Sequence, residues 1–208
     1  MLTPTSSRPT PERLLDAAET LMRTTGLANA TTKAIAREAG CSEAALYKYF
    51  ANKEELFVRV LMERRPNAAA LMAALTTDPG EQSVEDRLAD IARHASLFYA
   101  DAMPMAASLF ADPALLVRHR EGVREIGAGP HVVLDALTDH LVRERDRGRL
   151  RPDADPGAAA ALLLGACFQR AFFLHFSGAD VVRPVEEFAP GLARTVWAAL
   201  RRGEPAPG

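Results

Sequence analysis

Residues 31–57 read TTKAIAREAGCSEAALYKYFANKEELF, a spacing that admits little but two short helices meeting at a sharp angle. Thr32 is placed to cap a helix carrying Ile35, Ala36 and Ala39 on one side, and Gly40 closes it. Ser42 is placed to cap a second, EAALYKYF, in which Leu46 and Phe50 stand four apart and so share an inward face. A glycine between them accepts the backbone that a tight reversal needs, the helix-turn-helix arrangement. Helices this short cannot close a core by themselves. The neighbours supply the rest: Thr10 and Pro11 start a helix with Leu14, Leu15, Ala18, Leu21 and Met22 inward until Gly26, and Asn52 caps another, KEELFVRVLMERR, with Leu56, Phe57, Val60 and Leu61 on one stripe.

Helical periodicity continues to the end of the chain, with no sustained alternation of apolar and polar residues to suggest strands. Ser83 starts a helix to about Tyr99, and Pro104 starts another segment that Pro113 re-initiates. Gly127, Gly129 and Pro130 break the pattern before a helix from His131 to Arg147, with Val132, Val133, Leu134, Leu137 and Leu141 inward and Gly148 at its end. Asp155 and Pro156 begin a helix to about 177 that is apolar nearly all round, and Val185 to Arg202 form the last, kinked or restarted at Pro190. Asp78, Pro79 and Gly80 mark a loop, and the final EPAPG reads as a frayed tail. An all-α chain of two parts is expected: a three-helix helix-turn-helix domain over residues 1–52, a connecting helix over 53–66, and a larger helical bundle over 67–208.

Composition narrows the function. Lys plus Arg number 25 against 27 Asp plus Glu, a net charge of −2, so nucleic-acid contact has to be local. Residues 1–65 hold ten basic and eight acidic groups, and the positive excess lies with the helix-turn-helix. Cys41 and Cys167 are too few and too far apart for a disulfide framework or a Cys-based zinc finger, and the five histidines show no paired ligand spacing, so no metal is expected. Cys41, in the turn, is read as packing. The apolar run from Gly157 to Phe168 is broken by Gln169 and Arg170, and MLTPTSSRPTPERLL is not a secretory signal, so no membrane partner and a cytoplasmic location are expected. Nucleophile-elbow, zinc-protease, Walker and dinucleotide-binding motifs are all missing from the sequence; neither an enzyme nor a cofactor is expected.

With Leu46 and Phe50 turned inward, Glu43, Ala44, Tyr47 and Lys48 fall on outward faces of the second short helix, and Tyr49 is intermediate. Small Ala44 and Ala45 permit close approach to base edges or a thymine methyl, while Tyr47 and Lys48 reach phosphates. Glu43 either accepts from a cytosine amino group or serves only as a first-turn partner of the helix dipole. Thr32 and Ser42 add hydroxyls and backbone N–H groups at helix starts, where phosphates are well received. Arg8 and Arg13 form a leading arm that either enters a minor groove or stays disordered.

The ordered set Thr32, Ile35, Ala36, Ala39, Gly40, Ser42, Leu46, Tyr47, Phe50, Lys53, Glu54 and Leu56 resembles the DNA-binding segment of TetR/AcrR-type transcriptional regulators. The resemblance is specific over Thr31 to Phe57. It implies a homodimeric regulator, most simply a repressor, that leaves a palindromic double-stranded operator when a small apolar or amphipathic effector binds. Tyr47 and Lys53 match the family's phosphate-contact positions, and Tyr49 a position that reaches bases or backbone. The DNA-binding set is therefore Thr32, Lys33, Ser42, Glu43, Ala44, Ala45, Tyr47, Lys48, Tyr49 and Lys53. The resemblance also implies that the last two helices pair with their mates in a four-helix bundle, for which Leu163, Phe168, Trp197 and Leu200 are the candidates.

For the effector, Phe98, Met103, Phe110, Phe168 and Phe172 are candidate apolar lining and His119 a candidate polar anchor, with Tyr99, Met105, Arg118, His131 and Arg170 as further possibilities; core packing accounts for many of the same residues. One alternative stays open at this level, a helical ligand-binding or protein-interaction module whose helix-turn-helix reads no DNA sequence. An all-helical enzyme built from scattered His and Glu has no supporting constellation.

Overall fold

The computed structural model describes residues 9–27, 29–64, 66–77 and 80–202. Arg8, the Asp78 and Pro79 positions and the EPAPG segment lie outside them. The described residues form α1 (Thr10–Thr25), α2 (Thr32–Glu38), α3 (Glu43–Leu46), α4 (Lys53–Glu63), α5 (Pro66–Thr76), α6 (Val84–Ala111), α7 (Pro113–Glu125), α8 (His131–Asp146), α9 (Pro156–Ser177), a 3-10 turn (Ala179–Val181) and α10 (Val185–Leu200), with no strand among them. They divide into two compact units that do not follow chain order: Met1–Arg65 with Met105–Ala128, and Pro66–Pro104 with Gly129–Gly208.

In the first unit Leu14, Leu15 and Ala18 of α1, Ile35 of α2, Leu46 and Phe50, and Leu56, Phe57 and Val60 of α4 share one core. Leu109 and Leu115 are buried in that same cluster, which is why residues 105–128, assigned by chain order to the 67–208 region, pack here. Each such Leu or Phe contributes about 1.5–3 kcal/mol by leaving water. Arg64, at the end of α4, clasps α1 through Glu12 at 2.6 Å and Asp16 at 3.0 Å. Two starts differ from expectation by one residue. Pro9 precedes α1 and Thr10 is already helical, while Thr31, not Thr32, caps α2 by accepting the Ala34 N–H at 3.1 Å. Arg13 lies within α1, half-buried beside Thr10, rather than in an arm.

The second unit holds α5, α8, α9, α10 and α6 as far as Pro104. The all-round apolar α5, with no amphipathic stripe to announce it, packs on α8, and α9 lies between α8 and α10. Leu88, Ile91 and Ala92 of α6, Leu137 and Leu141 of α8, and Leu163 and Cys167 of α9 are fully buried. A buried carboxylate, Glu144, is held by Arg149 through both of its oxygens and by Arg147, which removes the penalty an unpaired charge would carry.

Pro104 does not begin a helix. It sits inside α6, where it has no N–H to offer the Ala100 carbonyl four residues earlier. His175 of α9 takes that vacancy, its Nε2 lying 2.8 Å from the Ala100 oxygen. A side chain from a neighbouring element thus meets the carbonyl that the proline leaves without its helical donor. Pro190 is likewise internal to α10. α9 is long and apolar enough to cross a membrane by length and composition alone, a test that the core helix of a soluble protein also passes.

Candidate nucleic-acid interface

The turn between α2 and α3 is closed by the backbone. Gly40 adopts φ +66°, its N–H bonds the Arg37 carbonyl at 3.1 Å, and the Cys41 N–H reaches back to Ala36 at 2.9 Å, the paired bonds of a Schellman ending. Any residue with a Cβ would strain this backbone. Cys41 packs against the apolar core, as expected of the plug in the turn. Ser42 then caps α3, accepting the Ala45 N–H at 3.1 Å. Regular α-helix ends at Leu46, and the segment continues to Phe50 through tighter bonds from Lys48 to Ala45 and from Tyr49 to Leu46.

Leu46 and Phe50 are buried, so one side of this segment is fixed to the core. The opposite side presents Ala44, Tyr47, Lys48 and Tyr49, with the tyrosines 52% and 45% exposed. Ala45 is half-buried, and Lys33 stands exposed on α2. Beside them lies an open cleft of about 550 Å³ lined by Thr31, Lys33, Ala34, Ala36, Arg37, Cys41 and Glu43. Arg37, also exposed, was not among the residues singled out from sequence. The signal for it was present: Lys33 and Arg37 are four apart and share a helix face.

Three of the expected contact residues, Thr32, Glu43 and Lys53, have side-chain partners elsewhere in the unit. The Thr32 hydroxyl donates to Glu43 Oε1 at 2.5 Å, tying the first turn of α2 to the first turn of α3. The Lys53 ammonium donates to the Leu27 carbonyl at 3.2 Å and lies 4.9 Å from the centre of the Phe57 ring. Burial lowers its pKa from the ordinary lysine value, with Glu54 opposing and Arg118 adding to the effect. Asn52 does more than cap α4 through the Glu55 N–H at 2.7 Å, since its amide also donates to Glu125 Oε2 of α7 at 3.0 Å. Gly122 of α7 provides the room, because a Cβ there would stand 2.6 Å from Glu54 Cγ.

The effector candidates are divided between the two units. Phe110 and His119 belong to the first unit and Phe98, Met103, Phe168 and Phe172 to the second. Phe110 is exposed, and burial lowers the His119 pKa. In the second unit Tyr99 touches Phe98 and Phe168, ring centroids 5.3 and 5.6 Å apart, and burial pushes its hydroxyl up to about 12. Burial likewise pushes the Cys167 thiol up to about 11, so both groups are neutral near pH 7.

The dimer candidates need correction. Leu163 and Leu200 are 0% and 3% exposed within a single chain and have no surface left for a partner. The opposite face of α9 is open instead, with Leu162, Phe168, Phe172, Phe173 and Phe176 all exposed and Phe172 stacked on Phe176 at 5.2 Å. Trp197 is half-buried.

Residues 14–60 match the model of the tetR family of bacterial regulatory proteins. The HTH-type transcriptional regulator YvkB of Bacillus subtilis (strain 168), itself uncharacterised, is 38% identical over 65 residues, which are 31% of this chain and 34% of that relative. The match thus spans about a third of the relative's length. Among solved structures, a TetR-family regulator from Mesorhizobium loti MAFF303099 superposes with a TM-score of 0.68 at 20% identity, covering 96% of this chain and 100% of the other. SmeT, the repressor of the Stenotrophomonas maltophilia multidrug efflux pump SmeDEF, superposes at 0.60 with 21% identity over 96% of this chain and 98% of its own. At these identities the structural likeness is one of fold.

Proposed function

We propose that the chain, whose residues 14–60 match the tetR family model and whose fold is like that of solved TetR-family regulators, is a homodimeric regulator released from a palindromic operator by a small apolar or amphipathic molecule. The observation that carries this reading is the two-sidedness of residues 43–50. Leu46 and Phe50 anchor the segment, while Ala44, Tyr47, Lys48 and Tyr49 project where small side chains, hydroxyls and a cation can meet base edges and phosphates. In a dimer the two copies of this segment face successive major grooves about 34–36 Å apart, on one side of the duplex.

The outer face of α9 supplies the pairing surface. Five exposed apolar side chains along a helix whose other face is already buried match what a second copy of the chain would cover. The effector is proposed to enter the second unit near Tyr99 and Phe168. The complex of SmeT with triclosan supports an apolar aromatic class of ligand, on a likeness of fold alone. To act, the ligand has to bind the DNA-free state better than the bound one; a coupling of about 1–3 kcal/mol lowers operator affinity about 5- to 150-fold.

The test is selection of genomic fragments on the purified protein at near-physiological salt with competitor DNA. Enrichment of a palindrome is the expected result. A folded, dimeric protein that enriches no sequence overturns the proposal and favours a module that binds proteins or ligands alone.

A further inference from the structure

An ionised carboxylate on a surface that meets phosphates is repelled unless a donor receives it. Glu43 occupies such a place, at the start of α3 and on the wall of the cleft that also carries Lys33 and Arg37. Its carboxylate is not left to rotate. The Thr32 hydroxyl, eleven residues earlier, donates to Oε1 and fixes the side chain across the turn. A hydroxyl has one proton to donate, so while this bond stands Thr32 has none for a DNA phosphate. Oε2 and the second lone pair of Oε1 keep their accepting capacity.

The major groove offers such an acceptor two donors, the exocyclic amino groups of cytosine and adenine. Carboxylates pair characteristically with cytosine N4, whose own ring carries no major-groove acceptor, whereas adenine carries N7 beside its amino group. A glutamate serving only the dipole of α3 would need no partner on α2. We infer that Glu43 is a specificity-determining residue that selects cytosine at one position of each half-site, and that Thr32 is a positioning residue that aims it. This rests on the reading of the chain as an operator-binding regulator.

The experiment measures full-length wild type, Glu43→Gln, Glu43→Ala, Thr32→Val and Thr32→Ser against the duplex that wild type selects and against its single-base variants. Wild type is expected to prefer one cytosine per half-site about ten-fold over the other bases. Glu43→Gln should transfer that preference to adenine, since an amide both donates and accepts, and Glu43→Ala should abolish it. Thr32→Val should weaken discrimination at the same position and no other, and Thr32→Ser, which keeps the hydroxyl, should restore it. Ratios between duplexes are compared, so partial loss of folded protein does not alter the outcome, and Glu43→Gln decides alone if Thr32→Val fails to fold. If wild type selects a motif that the Glu43 variants share base for base, the inference is wrong and the regulator reading survives. If wild type selects no motif, both fall.

Discussion

The exposed rings on α3 and its continuation, Tyr47 and Tyr49, carry hydroxyls, whereas those on α9, Phe168, Phe172, Phe173 and Phe176, carry none. A tyrosine hydroxyl is satisfied by water when the surface is free and by a phosphate or base when it is occupied, so such a surface suits a partner that comes and goes. A phenyl ring gains only by leaving water, and five apolar side chains in one stripe suit a partner that stays. The same chain thus displays two aromatic surfaces, and their chemistry separates reversible docking from lasting association.

The largest effect should come from the hidden side of α9. Leu163→Ala removes a fully buried side chain and should lower unfolding free energy by about 2–5 kcal/mol in urea titration at fixed protein concentration. Leu162→Ala, one residue along and 68% exposed, should leave the protomer's packing intact. Equal losses in the dissociated protomer would mean that the two faces of α9 are not distinct in solution. Next in size, Phe172→Glu together with Phe176→Glu should raise the dimer dissociation constant by about 30-fold or more in sedimentation equilibrium, with helix content preserved. A dimer indifferent to both charges would place its interface elsewhere.

The two surfaces also differ in how far the sequence discloses them. In residues 31–57 the decisive interactions are local: Ser42 caps three residues ahead, Asn52 likewise, and Leu46 and Phe50 face one way because they are four apart. Spacing contains all of that, and the helix-turn-helix, its inward residues and its exposed aromatics follow from it. α9 is apolar on every side, so periodicity cannot say which residues its own chain covers, and Leu163 and Leu200 were assigned to a surface they do not reach. The unbroken course of α6 was hidden for a related reason. The carbonyl that its proline leaves without a helical donor is met by His175, a residue 75 positions away. The Thr32 to Glu43 bond and the engagement of Lys53 by Leu27 are likewise tertiary facts, at sites that helix position had marked for DNA in the first case and the family resemblance in the second.

A smaller effect is expected where α4 meets α7. Gly122→Ala would put a Cβ 2.6 and 2.8 Å from Glu54 Cγ and Cβ, atoms close to the backbone that cannot swing aside as a side-chain tip would. It should cost about 1–3 kcal/mol of stability and disturb the Asn52 to Glu125 bond at the start of α4. Thermal melts and operator binding should decline together; an unchanged melt would show that the helices separate readily.

Acid should act through the buried histidines of both units and through Glu144 of the second. Burial lowers the His140 pKa below 6.5, so the folded state holds fewer protons there than the unfolded one. That contribution is present above pH 6.5 and is lost as pH falls through it. Burial alone would raise the Glu144 carboxyl, but the hydrogen bond and charge of Arg149, with His140 and Arg147, outweigh it and lower its pKa, adding a second loss below pH 4.5. Urea midpoints should therefore fall in two stages on acidification, and His140→Gln should remove part of the first while His94 and His119, also lowered by burial, keep the remainder. A midpoint constant from pH 7 to 5 would contradict this.

The smallest expected effect separates two lysines that sequence alone treats as alike. Lys48 is exposed on the face with Tyr47, and its ammonium is placed to release a counterion when it meets a phosphate. Lys53 is half-buried, bound to the Leu27 carbonyl and set against Phe57, so reaching a phosphate would mean giving up those contacts. Lys48→Ala should therefore weaken operator and random DNA alike and reduce the slope of log affinity against log salt by about one. Lys53→Ala should change the slope by less and should lower stability instead, because it leaves the Leu27 carbonyl without this donor. Binding isotherms at four salt concentrations, with a urea titration of each variant, distinguish the two roles. If Lys53→Ala alters the slope as much as Lys48→Ala while leaving stability unchanged, the ammonium leaves Leu27 for the DNA, and the internal bond describes only the unbound protein.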